Sequence, residues 1–161
     1  VVFLDGDGSD DAGEIASVAA PVASGAADVV IGSRTRGRAE PGSLNLPQRF
    51  GNALTCALVR AFYGVRYTDL GPFRAASREA LAELAPRDAR FGWTIELQVG
   101  AARRGLRVME VPVRYRNRRA GRSKVSGDAA AACRAGVEIL GYVLRAGVRD
   151  LATGRARRGR R

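Results

Sequence analysis

The stretch "VVFLDGDGSDD" at residues 1–11 sets four carboxylates, Asp5, Asp7, Asp10 and Asp11, directly behind an apolar tetrapeptide. Val1-Val2-Phe3-Leu4 is short, β-branched or aromatic, and bounded by turn residues, so it reads as a buried strand. Such a strand delivers Asp5 and Asp7 to the carboxyl end of a sheet, the edge where ligands of open α/β sheets sit. Two acids held together repel, and a positive charge normally offsets that cost; a divalent cation is the obvious candidate. An acidic turn capping the next helix is the plainer use of the same residues.

Three chemistries use such a stretch. In a calcium loop, Asp5, Asp7 and Ser9 fit the first three ligand positions. Asp10 then stands where Gly is needed and Ala16 where Glu is needed, and a strand precedes where a helix is required. In an aspartyl phosphotransferase, whose opening is similar to that of the haloacid-dehalogenase family, Asp5 is the nucleophile and Asp7 the acid/base. That family also needs a later lysine and a further acidic pair; Lys124 is the only lysine and no acidic pair follows Asp11. In a sugar-nucleotide transferase, a DxD loop holds Mg²⁺ or Mn²⁺ against the donor pyrophosphate and neutralises the leaving nucleoside diphosphate.

The cations are as unevenly placed as the acids. The net charge is +11, but residues 1–102 carry 10 basic and 12 acidic side chains, and residues 103–161 carry 17 and 4. The basic half should attract anions: nucleic acid, lipid headgroups or phosphorylated substrates. Arg34 of "GSR" follows an apolar run, at the sheet edge where a phosphate would lie, and suits bidentate phosphate recognition; a solvated loop arginine is the alternative. Arg49 of "PQRFGN" opens a helix, where a cation opposes the dipole unless an anion is bound nearby. "RRAGRSKVSG" gathers Arg118, Arg119, Arg122, Ser123 and Lys124 on a glycine-containing loop. Nucleic acid could use such a loop, but no aromatic residues are interleaved to stack on bases. The chain has no histidine, which removes His-based triads, His general bases and His-containing zinc sites. Cys56 and Cys133 are far apart, each in a helical pattern, and read as reduced buried thiols.

These groups need a scaffold, and strands alternating with helices place the chain in the α/β class. "DAGEIASVAAPVASGA" predicts a helix capped by Asp10 or Asp11 and bent or broken at Pro21. "ADVVIGSR" predicts a second buried strand, and residues 35–46 a Gly/Pro/Arg-rich loop. "LPQRFGNALTCALVRAFYG" predicts a helix stopped by Gly64. "GPFRAAS" is strand-like, Ser77 caps "SREALAEL", "FGWTIELQVGAARRG" is a helix ending at Gly105, and "LRVMEVPVRYR" is a strand. A long helix is expected over 128–149, and "TGRARRGRR" is expected to be a disordered basic tail. No signal peptide is visible and no apolar stretch reaches the length of a membrane span.

The series "FLDGDGSDD", "DVVIGSR", "LPQRFGN", "YTDLGPFRA", "GWTIELQVGAARRGLRVMEVPVRYR" and "RRAGRSKVSG" resembles family 2 glycosyltransferases. The nearest branch is the bacterial one related to dolichyl- or polyprenyl-phosphate sugar synthases. The resemblance runs from Val1 to about Gly127. It implies the C-terminal part of a GT-A fold over residues 1–127, a mixed sheet with flanking helices, then an amphipathic helix over 128–150 and a tail over 151–161. The N-terminal βαβ half, which cradles the nucleotide, is expected to precede Val1. By the same resemblance Asp5 and Asp7 bind Mg²⁺ or Mn²⁺ and the diphosphate of a UDP- or GDP-sugar. Asp69 of "TDLGPFR" matches a proposed base, although Arg74, five residues on, could simply pair with it. Glu96 of "WTIELQ" corresponds to the base used with hydroxyl acceptors, and Trp93 suits stacking on sugar or lipid, or the core. The "GxSK"-like loop implies a clamp on phosphates by Arg119, Arg122, Ser123 and Lys124. The expected reaction is an inverting, in-line transfer to a polyprenyl or dolichyl phosphate.

The expected location is cytoplasmic. In the 128–149 helix Arg134, Glu138, Arg145 and Arg149 share a narrow stripe, and Val137, Leu140, Val143, Leu144 and Val148 cover much of the rest. Two arrangements follow: the helix lies in the cytoplasmic headgroup region, or its apolar breadth packs on the sheet.

Overall fold

The computed structural model describes residues 1–87, 92–118 and 129–154, the last segment as backbone only over 129–133. Four strands form one sheet: β1 (Val2–Phe3), β2 (Val29–Ala39), β3 (Arg74–Ala76) and β4 (Val108–Tyr115), in the order β1-β3-β2-β4. β3 runs antiparallel to β1 and to β2, while β2 and β4 are parallel. β1, β2 and β4 therefore point the same way, and their carboxyl ends share one edge with the chain that enters β3. The expected mixed sheet with flanking helices is present.

Side chains alternate across β2 as a strand buried on both faces requires. Val30 packs with Val18, Phe73 and Val113 on the side of α1 (Ile15–Ala23). Ile31 faces α2 (Leu46–Tyr63), α4 (Trp93–Arg104) and α5 (Ala129–Ala152) through Val59, Tyr63, Ile95, Val99 and Val143. Val29 packs with Ala80 and Leu84 of α3 (Arg78–Leu84) and with Leu97.

The helix ends follow from local chemistry. Asn45 and Gln48 form a reciprocal capping box at the start of α2, Pro47 lies in its first turn, and Gly64 closes it at φ 77°. That left-handed conformation is one only glycine adopts without cost. Ser77 caps α3, and Gly105 ends α4 at φ 68°. Asp11 caps a 3₁₀ turn over Ala12–Glu14 that leads into α1. Pro21 lies inside α1 without breaking it where expected; the helix runs on to Ala23.

β2 departs from expectation. Residues 35–39, read as loop from their Gly and Arg content, extend the strand, and Arg38 and Ala39 pair with Arg114 and Tyr115 after a register shift beyond Ser33. Gly37 allows it: a Cβ there would collide with the backbone of Val113. Backbone pairing with β4 outweighs the weak strand propensity of the segment.

α5 is fastened to the domain by a buried polar cluster. Tyr63 donates its hydroxyl to Asp150 Oδ2 at 2.8 Å, and Arg103 Nε donates to the same oxygen at 2.7 Å. Gly147 lies against the Phe62 ring, where a Cβ would not fit. The face of α5 bearing Ala135, Val143 and Ala146 is thus core. No helix of the described residues is long and apolar enough to cross a membrane.

Candidate active site

The shared strand edge collects the chemistry. β1 hands over to Asp5 and Asp7, β2 carries Arg34 where its register against β4 shifts, β4 hands over to Arg116 and Arg118, and the segment entering β3 supplies Asp69.

Asp7 Oδ1 accepts the backbone N–H of Ser9 at 2.9 Å and also its hydroxyl, while Asp7 Oδ2 receives Arg118 Nε at 2.9 Å. Burial works to raise the Asp7 pKa, but the Ser9 hydrogen bonds and Arg118 outweigh it and hold the carboxyl below its usual range. Asp5 is pushed the other way, by burial and by the charge of Asp7, against the pull of Arg118 and Arg34. Asp10 was not singled out by the sequence as a site residue. It is 5% exposed, accepts the Asp5 backbone N–H on Oδ2 at 3.0 Å, and leaves Oδ1 buried without a partner. Burial, with the charges of Asp5 and Asp7, lifts its pKa to about 6.

This cluster suits a cation in its chemistry: crowded carboxylates, one with an orphaned oxygen, and a guanidinium already seated on Asp7. Among the described residues no three His, Cys, Asp or Glu side chains are gathered closely enough to hold a metal unaided. A metal here would take Asp5 and Asp7 as partial ligands and draw the rest of its shell from phosphate or water.

Asp69 is fully buried and its carboxylate is filled. Oδ2 accepts the Arg34 backbone N–H at 2.7 Å and Nε at 2.9 Å; Oδ1 accepts Arg34 Nη2 at 2.7 Å and the Leu70 N–H at 2.8 Å. The Arg34 guanidinium also lies 5.0 Å from the Tyr115 ring centroid. Arg34, and not Arg74, is therefore the partner of Asp69. Arg74 is buried elsewhere, donating to Gly71 O at 2.7 Å, Thr94 O at 2.6 Å and Gln98 Oε1 at 2.8 Å. Trp93 covers it at 5.6 Å and meets Phe3 at 5.1 Å.

The turn carrying Asp69 is strapped from both sides. Glu110 accepts the Thr68 N–H and hydroxyl at 2.7 and 2.8 Å, Asn52 bonds Thr68 O and the Leu70 N–H, and Ser33 meets Thr68 at 2.7 Å. Sequence reasoning passed over Glu110, Asn52 and Ser33. A short polar residue in an otherwise apolar strand, as at Ser33, was the available signal.

Beside this turn opens a cleft of about 540 Å³ lined by Arg34, Arg49, Asp69 and Thr68 and by Leu44, Leu46, Phe50 and Ala53. It combines buried polar groups at one wall with large apolar side chains that stand in solvent, Leu46 at 79% and Phe50 at 71% exposure. Arg34, Arg49 and Asp69 are thus brought together. Glu96 is not among the lining residues; its Oε2 accepts the Arg87 backbone N–H at 2.9 Å, on the chain between α3 and α4. Arg119, Arg122, Ser123 and Lys124 lie outside the described residues, as does residues 155–161 of the expected basic tail. Cys56 is a free buried thiol whose pKa burial pushes up to about 12, so it is inert; the Cys133 side chain is outside the description.

The α/β domain thus gathers acidic and basic residues on one sheet edge, and the relatives it matches are named glycosyltransferases. It is 40% identical over 130 residues to the uncharacterized glycosyltransferases Rv0539 of Mycobacterium tuberculosis and Mb0553 of Mycobacterium bovis, a match covering 80% of this chain and 57% of each relative. It is 31% identical over 116 residues to the glycosyltransferase AglJ of Haloferax volcanii, covering 71% of this chain and 38% of that protein. The chain thus spans little more than half the length of the mycobacterial relatives. No protein-family model matches it, and no solved structure does.

Proposed function

We propose that this chain carries the acceptor side and part of the donor side of a GT-A, family 2 glycosyltransferase that moves sugar from a UDP- or GDP-sugar to a polyprenyl or dolichyl phosphate. The observation that carries the reading is the cleft: Arg34 and Arg49 at its polar wall, Leu44 half-buried in its lining, and Leu46 and Phe50 exposed at its rim. A phosphate on an isoprenoid chain has this same division into an anionic head and an apolar tail. The sugar-transferase relatives support the general reaction.

In this reading Asp5 and Asp7 would hold Mg²⁺ or Mn²⁺ on the donor diphosphate; the metal, when bound, would neutralise charge on the leaving group. The chain's own groups do the rest. Asp69 fixes Arg34 by a two-point ion pair, so the cation meets the acceptor phosphate already oriented. A phosphate oxygen is already ionised, so in-line attack with inversion needs no general base. Asp69, its lone pairs occupied by Arg34 and Leu70, then acts as a positioning residue, and Glu96 stands aside. Arg119, Arg122, Ser123 and Lys124 would complete the clamp on phosphate. The haloacid-dehalogenase reading needs a further acidic pair, and none follows Asp11 in the sequence.

Calorimetric titration with a short, water-soluble isoprenyl phosphate tests the acceptor assignment. Binding should weaken at least tenfold in Arg49→Ala and remain for the phosphate over the matching isoprenyl alcohol. Equal affinity for alcohol and phosphate would refute it.

A further inference from the structure

α5 has two apolar faces, and only one of them is used by the fold. At 100° per residue, the buried Ala135, Val143, Ala146 and Asp150 fall within a sector of about 80°. Val137, Leu144, Val148 and Leu151 fall within a second sector of about 60°, centred about 150° away by the same periodicity. These four are exposed, at 70%, 44%, 61% and 54%. The sequence offered headgroup contact and core packing as alternatives for this helix; the geometry gives each its own face. The docked face is pinned by Tyr63, Arg103 and Asp150, so α5 does not need to leave the domain to present the other.

The second face has a charged border on one side only. Arg134, Glu138, Arg145 and Arg149 occupy the adjoining sector, and the chain continues after Leu151 into "RARRGRR". An apolar strip edged by arginines is complementary to an anionic bilayer, where apolar side chains enter the acyl boundary and guanidinium groups meet headgroups. A second copy of this chain would bring the same net charge of +11 against itself. We infer that the Val137–Leu144–Val148–Leu151 strip of α5 is a bilayer-docking surface selective for anionic lipid, the helix lying flat with its opposite face still packed on α2 and α4. This deepens the proposed function, since an isoprenoid phosphate acceptor resides in a membrane, but its test does not depend on that acceptor.

Co-sedimentation of the full-length protein with vesicles of phosphatidylcholine alone, or with phosphatidylglycerol added, reads the surface directly, with no polyprenyl phosphate present. Wild type should bind the anionic vesicles, bind neutral ones at least tenfold less, and release at high salt. The double variant Leu144→Asp, Val148→Asp should lose at least tenfold of that binding while melting within a few degrees of wild type. Arg145→Gln, Arg149→Gln should lose binding and most of the salt dependence. Unchanged vesicle binding by the Asp variant overturns the inference. So does a large fall in its melting temperature, which would mean that protein covers the strip, or a concentration-dependent dimer abolished by the variant. Turnover on a soluble short-chain acceptor tests the proposed function separately and should survive in the Asp variant.

Discussion

Arg34 and Asp69 were each recognisable as single residues, one after an apolar strand and one between two turns, but their pairing was not. They are 35 positions apart and meet because β2 and the turn into β3 share an edge, a relation set by strand register. The candidate written in the sequence, Arg74, is nearer along the chain and is drawn instead to Gln98 and two carbonyls. Asp69→Asn should leave Arg34, whose side chain is 13% exposed, without its counter-charge, costing about 3 kcal/mol of stability. If Asp69 positions Arg34, turnover falls without any change in the shape of the pH profile; loss of the acidic limb alone would mark it as a base. Asp10 gives a second residue-scale expectation. Its folded pKa, about 6, lies above the usual carboxylate value. The folded state therefore holds the proton more tightly, and the contribution present below pH 4 is lost as pH rises through about 6. Asp10→Asn keeps an oxygen for the Asp5 N–H and removes the charge. In EDTA it should raise stability by about 2–3 kcal/mol at pH 7.5 and much less at pH 4, measured by chemical denaturation. A gain independent of pH would contradict that origin.

At the scale of elements, helices were legible because their ends carry their own chemistry: Ser77, Gly64 and Gly105 all stop or start a helix where the sequence placed the boundary. The outer half of β2 was not, since Arg36, Gly37 and Arg38 have no strand-like pattern and acquire it only from β4. The two apolar faces of α5 were written in the sequence as breadth alone; which face is core depended on Phe62, Tyr63 and Arg103 in other helices. In the proposed function α2 is the element that matters, since its first turns carry Leu46, Arg49 and Phe50 to the cleft. Asn45→Ala removes the capping box and should destabilise by about 1 kcal/mol. Its larger signature should be at the site: weaker binding of an isoprenyl phosphate, because the fraying turn is the one that holds Arg49. A loss of stability with acceptor binding untouched would separate the cap from the cleft.

Over the whole molecule, the acidic first half and basic second half meet at one sheet edge, which is how a net charge of +11 coexists with a carboxylate cluster. A nucleic-acid module would use the basic half alone, with affinity falling steeply with salt and indifferent to Mn²⁺. A sugar transferase needs both halves, so Asp7→Asn should abolish Mn²⁺-dependent binding of UDP or GDP while leaving the melting temperature nearly unchanged. The fold and the acidic edge were visible in sequence because strands, turns and carboxylates are local; the cleft was not, because its walls come from β2, α2 and the turn into β3. The most direct measurement is transfer of labelled sugar from UDP- and GDP-sugars by the full-length protein with Mn²⁺, comparing an isoprenyl phosphate with the corresponding alcohol and a free sugar. The phosphate should be glycosylated with inversion, and Arg49→Ala should reduce kcat/KM by about 10²-fold or more, the scale of losing an oriented cationic contact. Transfer to the alcohol or free sugar as fast as to the phosphate, with Arg49→Ala unimpaired, would contradict the assignment of the cleft.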